Sequence, residues 1–308
     1  MGITLYKNAD WILTVNEKRE KFRHGDLLIS GKEILDVGND LEKKYAGKLQ
    51  IDKTIDAKGT VILPGFVNIH HHTWQSLIRN IQATRGLKLE PWLTVMYEIY
   101  KDLNTDVARA GVYSGLGDML KTGCTTSNDL WYPHPVGVKY LVDAEIQAAA
   151  EIGIRFHPTR GFHSVPSDIV PPEVVDTKES VTEDTIRLVK KYHDRSRFSM
   201  CQVGIAPSIA QYETEDIIEA VVDLAEEYDI MVHGHLAESQ HEVEYTLKTW
   251  GCRPFEWFKR HRLLGKRFYF AHCIHLNEEE IEQMAETETG VAHCPISNML
   301  LSSGACPV

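Results

Sequence analysis

The sequence predicts an α/β protein: a TIM-type (β/α)8 barrel whose eighth strand is missing from this chain, preceded by a small N-terminal β-sandwich-like unit. Three observations predict it. Positions 1–60 read as short β-rich runs punctuated by turn residues. From Val61 onward, short apolar runs alternate with longer helical stretches, the rhythm of repeated βα units. The 308 residues, 43% of them hydrophobic, suffice for a substantial core. The domain boundaries follow: 1–60 is a small, incomplete β domain, and 61–308 is an incomplete barrel carrying strands one to seven.

In the first part, Thr4–Tyr6, Trp11–Val15 and Leu27–Ser30 are β-rich, with Gly31-Lys32, Asn39-Asp40 and Lys58-Gly59 as turn signals. The unit is too small to hold a core alone. The barrel strands are expected at Val61–His72, Cys124–Leu130, Ile154–Arg160, Met200–Ala206, Ile230–Leu236, Phe268–Cys273 and Gly290–His293. Helices are expected at Thr105–Lys121, Lys139–Ile152, Glu183–His193, Glu215–Tyr228 and Glu278–Glu286. Glycine follows the first two, and acidic first turns suit the helix dipole of the others. Val165–Val175, with its three prolines, reads as a long βα loop.

Composition excludes several function classes. Lys and Arg total 33 against 44 Asp and Glu, a net charge of −11, with no basic cluster for a phosphate backbone or an anionic membrane. No apolar run approaches the ~20 residues of a membrane span. The N-terminus shows no secretory pattern. The six cysteines are scattered without a CxxC pair and read as free thiols in a reducing cytoplasm.

The 15 histidines are the unusual feature, because they cluster at strand ends. His70-His71-His72 closes the first barrel strand. Side chains alternate along a strand, so His70 and His72 project together and His71 points away. His233-Gly234-His235-Leu236-Ala237-Glu238 closes the fifth. There His235 faces the barrel mouth, His233 lies one layer deeper as a hydrogen-bonded core residue, and Glu238 sits just beyond the strand. His272 ends the sixth strand, with His275 in the loop after it. His293 ends the seventh, either lining the pocket or supporting it. Neutral imidazoles at a barrel mouth can hold a metal, and a nearby carboxylate can move protons.

These residues resemble the amidohydrolase superfamily, in its cytosine/guanine deaminase and triazine hydrolase branch. The carriers are Leu63–His72, His233–Glu238, Ala271-His272-Cys273 and His293–Met299, and the likeness runs essentially end to end. The resemblance implies one divalent metal on His70, His72 and His235, with Zn2+ as first choice and Fe2+ as the alternative. It implies Glu238 and His272 as catalytic residues. Binuclear relatives bridge two metals with a modified Lys on the fourth strand, and Met200–Ser208 contains no Lys. Family members hold the metal with a further Asp at the eighth strand, a role no residue here can take.

Thr73–Leu77, Trp92-Leu93 and His157–Gly161 look most like the 8-oxoguanine deaminase group and its triazine-hydrolase neighbours. Adenosine-type relatives place a Glu where Thr94 stands and a His after the fourth strand, which Cys201–Gln211 lacks. The expected reaction is therefore hydrolytic deamination of a free N-heterocycle, with 8-oxoguanine giving urate and ammonia as first choice. Gln75 and Arg160 are expected to read the substrate's carbonyl edges. The competing reading makes Gln75 a surface helix residue and Arg160 a salt-bridge partner. The alternatives in function are a triazine chloro- or aminohydrolase, a guanine, cytosine or pterin deaminase, or a non-catalytic fragment or degenerate homologue. The expected partner is a small heterocyclic substrate, with no nucleic acid and no membrane, and the full-length protein is expected to be a homo-oligomer. Residues 1–308 alone are expected to be inactive and poorly stable.

Overall fold

A computed structural model describes residues 2–307, which form two compact units, one ending at Phe66 and one starting at Val67. The first unit holds β1 (Ile3–Leu13), β2 (Lys21–Ser30), β3 (Glu33–Gly38), α1 (Leu41–Tyr45), β4 (Lys53–Asp56) and β5 (Val61–Ile62). They build one five-stranded sheet in the order β3-β2-β1-β4, with β5 also on β1. The runs expected at Thr4–Tyr6 and Trp11–Val15 are one strand. Asn8 adopts φ +60° and the register with β2 shifts between Tyr6 and Ala9, so a bulge interrupts the alternation that marks a strand in the sequence. Leu5, Leu28 and Leu41 form one small core here, and Ala9, Ile12 and Ala57 another.

The second unit alternates strands and helices. In order they are β6 (Phe66–Asn68, which begins at the junction), α2 (Leu89–Tyr100), α3 (Thr105–Lys121), β7 (Cys124–Trp131), α4 (Leu141–Ile152), β8 (Arg155–Phe162) and α5 (Lys178–Tyr192). Then come β9 (Gly204–Pro207), α6 (Glu215–Tyr228), β10 (Val232–Leu236), α7 (Gln240–Trp250), α8 (Pro254–Arg260), β11 (Phe268–His272), α9 (Glu278–Thr287), β12 (Gly290–Ala292) and α10 (Pro295–Leu300). The strands form one seven-stranded sheet in sequential order, and every pairing from β7 to β12 is parallel. This is the strand order of a TIM-type barrel, with seven strands among the described residues. The sheet must curl. Four strand spacings of about 4.8 Å would put β6 and β10 some 19 Å apart in a flat sheet. Yet His70, just past β6, touches His233 on β10 at 2.7 Å.

Local chemistry sets the helix ends. The Asn104 side chain accepts from the backbone N–H of Asp106 and Val107 at the start of α3. Asn277 and Glu280 form a reciprocal capping box at α9. Thr177 caps α5, so this helix begins five residues before the predicted Glu183. The expected first barrel strand divides. Val61–Ile62 pairs with Trp11–Ile12 in the N-terminal sheet, and only Phe66–Asn68 is barrel strand. Pro64 and Gly65 interrupt the run, as prolines in strands do. Beyond Asn68 the backbone still ladders onto β7, with Leu130 N–H donating to the His71 carbonyl at 2.8 Å.

Glycine is required where strands approach closely. A Cβ on Gly234 would run into the Pro207 carbonyl of the neighbouring strand, between the two histidines of β10. Gly234→Ala should therefore cost about 1–3 kcal/mol, the usual scale of overpacking, read as a lower denaturation midpoint. Gly117→Ala is the control. A Cβ there meets nothing within 4 Å, and removing glycine from a helix interior should stabilise by about 0.5–1 kcal/mol.

Candidate metal centre and active site

Three imidazoles converge at the mouth of the curled sheet. The donor atoms of His70, His72 and His235 all lie within 4.8 Å of one another. Their tautomers follow from their other nitrogens. His72 Nδ1 is 2.7 Å from the Leu130 carbonyl, and His235 Nδ1 is 2.7 Å from the Ser208 carbonyl. A carbonyl only accepts, so both rings carry their hydrogen on Nδ1 and present a bare Nε2. His70 is set by a relay. His233 Nδ1 donates to the Tyr269 carbonyl at 2.9 Å, so its Nε2 accepts from His70 Nδ1 at 2.7 Å. His70 Nε2 is thereby left as a lone pair too.

Burial, reinforced by the neighbouring imidazoles, holds His70 and His72 well below the usual histidine range and His235 down to about 4. The rings are neutral at pH 7. His72 Nε2 and His235 Nε2 face each other at 3.3 Å, and by the tautomer assignment neither carries a hydrogen. Two nitrogens each 2.0–2.1 Å from a tetrahedral zinc lie about 3.3 Å apart. The donor set thus fits one divalent cation, and the outer hydrogen bonds that such ligands need are already made.

Glu238 and His272 stand beside this centre. Glu238 Oε2 is 3.3 Å from His272 Nε2, and both residues are about 95% buried. His272 Nδ1 bonds Asn298 Oδ1 on α10 at 2.8 Å, which turns Nε2 toward Glu238. Burial pushes the Glu238 carboxyl up to about 7 and the His272 imidazole down to about 4. A carboxyl poised near neutrality can both take and give a proton.

The backbone that carries these groups is bent. Ala237, His272 and Cys273 have φ of +49°, +71° and +50°, so β10 and β11 stop abruptly and aim the next side chains inward. Hydrogen bonds hold the bends. Glu238 N–H donates to Glu242 Oε2 at 2.9 Å, and Glu242 N–H to the capping Ser239 Oγ at 3.2 Å. Ser239-Gln240-His241-Glu242 is an S-x-x-E helix start, a signal by which α7, absent from the sequence prediction, was readable. His71 points away from the centre, and its Cε1 packs on the Gly115 face of α3.

A cleft of about 770 Å³ lies between β6 and β12, the two edge strands of the described sheet, and Gln75, Trp92, Glu238 and His272 are among the residues lining it. Gln75 is held there by the phenols of Tyr100 and Tyr132, at 3.0 and 3.3 Å. Arg160 is not brought to this cleft. It is 2% exposed, its guanidinium is spent on Asp176 at 2.8 Å and Asp184 at 3.0 Å, and it lines a separate cavity. The structure thus places it in a buried ion-pair cluster. Sequence reasoning missed the wall beside Glu238. Tyr97, Tyr132, His163 and Gln211 line a small recess there, with the Tyr97 phenol 2.5 Å from His163 Nε2. His163 follows β8 directly, and only a strand end extended to Phe162 would have flagged it.

Four substitutions test the centre. His70→Ala should abolish stoichiometric zinc binding and His235→Ala should weaken it, whereas His71→Ala should retain one zinc per chain at unchanged affinity by metal analysis. His233→Phe keeps all three ligands but removes the relay, and should weaken zinc about 10–100-fold, the usual effect of losing an outer hydrogen-bond partner. Unchanged affinity in that variant would refute the tautomer assignment.

The amidohydrolase family matches residues 61–308. An 8-oxoguanine deaminase from Pseudomonas aeruginosa is 35% identical over 82% of this chain and 57% of its own length. A hydroxydechloroatrazine ethylaminohydrolase from a Pseudomonas species is 28% identical, over 98% of this chain and 65% of its own. A 5-methylthioadenosine/S-adenosylhomocysteine deaminase from Bacillus cereus is 31% identical, over 99% and 66%. The chain therefore spans between 57% and 66% of these relatives' lengths. Among solved structures, a zinc-complexed atrazine chlorohydrolase from Arthrobacter aurescens superposes with a TM-score of 0.91 at 24% identity, over 99% of this chain and 68% of that one. A guanine deaminase from C. acetobutylicum gives 0.84 at 22% identity, over 99% and 71%. Matched along 61–308 and carrying the histidine centre at its strand ends, the chain belongs to the amidohydrolase family.

Proposed function

We propose that this chain carries the catalytic centre of a metal-dependent aminohydrolase that deaminates a free planar N-heterocycle, with 8-oxoguanine as the first substrate. One observation carries the reading: a buried carboxyl raised to about 7 lies against a neutral imidazole, beside three bare imidazole nitrogens. His70, His72 and His235 would hold the cation, zinc in first place. When bound, a divalent cation supplies Lewis-acid activation of water at neutral pH.

The protein's own residues do the rest. Glu238 takes a proton from the attacking water. The water oxygen bonds to the ring carbon that bears the exocyclic amine, and Glu238 delivers its proton to the adjacent ring nitrogen. His272, its Nδ1–H held by Asn298, keeps a bare Nε2 that accepts from the attacking water and orients it. Glu238 then takes the remaining hydroxyl proton of the adduct and passes it to the exocyclic amine; the C–N bond breaks, ammonia leaves, and a ring carbonyl remains. Gln75, whose two amide hydrogens go to the Tyr100 and Tyr132 phenols, keeps Oε1 free to accept from a ring N–H rather than to donate to a carbonyl edge. The likeness to the 8-oxoguanine deaminase supports the substrate class. A triazine aminohydrolase is the second reading, supported by the likeness to the ethylaminohydrolase along nearly the whole chain.

Ammonia release by the full-length protein decides between them, with 8-oxoguanine and an N-alkylated hydroxytriazine offered side by side. Turnover of the purine and not of the triazine is the expected result. Glu238→Gln should keep its zinc and lose at least ~100-fold in ammonia release, the lower scale of general acid–base assistance. Near-normal turnover with zinc in place would rule out the proton transfer assigned to Glu238.

A further inference from the structure

A second group of donors meets at the same centre. His70, His272 and Cys294 bring one donor atom each within 4.8 Å of one another, and all three line the cleft. We propose that they form a second metal position, which takes a thiophilic divalent cation in place of the one on His70, His72 and His235. The proposal rests on these donors and not on the reaction assigned above.

The local structure presents the donors. Cys294 is the N-cap residue of α10, partly buried, and its thiol now donates to the Ala292 carbonyl at 3.3 Å. Asn298 sits in the first turn of that helix, its N–H on the Cys294 carbonyl at 3.0 Å. Its side chain holds His272 Nδ1. One helical turn therefore places the sulfur and leaves His272 with Nε2 as its free nitrogen. The rings of His70 and His272 are 5.5 Å apart between centroids. Two imidazoles and a thiolate are a known zinc donor set, and among divalent ions the thiolate favours the softer ones, such as cadmium.

The two positions exclude each other. His70 has one free nitrogen, because Nδ1 is committed to His233. A cation drawn to the sulfur must take that nitrogen from the first position. The balance is simple. The Cys294 thiol loses one proton to solvent, the sulfur donates an electron pair to the cation, and the hydrogen bond to Ala292 is given up. His70 and His272 bind as neutral rings and release nothing. A cation held there also occupies His272 Nε2, the atom that faces Glu238.

The test uses the full-length protein freed of metal. The His72→Ala/His235→Ala double variant removes the first position and leaves the second. It should bind one cobalt(II) per chain and develop a sulfur-to-cobalt charge-transfer absorption. Adding Cys294→Ser should abolish both. In the zinc-loaded wild type, cadmium should enter as zinc leaves, one for one, with a cadmium–thiolate absorption and release of one proton per metal. Cys294→Ser should still hold one zinc, which reads the first position independently, but should show no thiolate absorption and bind cadmium at least ~10-fold more weakly. Three results would each overturn the proposal: no sulfur band in either protein, a band that survives Cys294→Ser, or cadmium that binds while all the zinc stays.

Discussion

The hydrogen bond from His70 to His233 is the constraint on which the site depends. It joins the end of the first barrel strand to the middle of the fifth, across the curl of the sheet. It also decides which nitrogen of His70 is left bare, because the Tyr269 carbonyl has already fixed the tautomer of His233. A bare nitrogen, the form a metal ligand requires, is thereby set by a carbonyl two steps away. The same device recurs at His72 and His235, where the carbonyls of Leu130 and Ser208 hold Nδ1 directly. Backbone hydrogen bonding and site chemistry are one network.

Desolvation gives that network its character. Each imidazole of the centre is pushed below its usual range chiefly by burial, and Glu238 is pushed upward by the same cause. Neutral rings and a carboxyl near neutrality are what ligand binding and proton transfer require. Further buried carboxyls brace the scaffold. Asp129 accepts from Thr73 N–H at 2.5 Å and Glu145 from Thr73 Oγ1 at 2.7 Å, clamping the residue after His72. Burial raises both of these carboxyls, Asp129 to about 7. The clamp holds the His70–His72 segment in register where β6 has already ended.

Helix α10 adds a second layer of control. It is short, but it carries Asn298 against His272 and presents the Cys294 sulfur to the same cleft. Strand ends with left-handed backbone cost about 1–3 kcal/mol each when no glycine is present. At Ala237 and Cys273 that cost is offset by backbone hydrogen bonds, from Ile274 and His275 to the Ala237 carbonyl and from Cys273 to Leu236. These bonds tie the ends of β10 and β11 to one another beside the site.

The sequence by itself determined the alternation of strands and helices, and α3 and α6 match their predicted bounds. Periodicity and caps are local, so they are readable from neighbours in the chain. It also determined that His70 and His72 point together and that His71 does not, because strand parity survives even where the ladder thins after β6. Tertiary structure decided the rest. Whether Val61–Ile62 joins the N-terminal sheet or the barrel depends on which edge offers free backbone groups, and that edge belongs to β1. Arg160 follows the same logic. An arginine at a strand end looks like a substrate contact until Asp176 and Asp184, far along the chain, neutralise it. Tautomers were equally hidden, since a histidine's free nitrogen is set by whatever accepts from its other one. Those acceptors, Leu130, Ser208 and Tyr269, are main-chain carbonyls brought close by the curl of the sheet, and no side-chain pattern marks them.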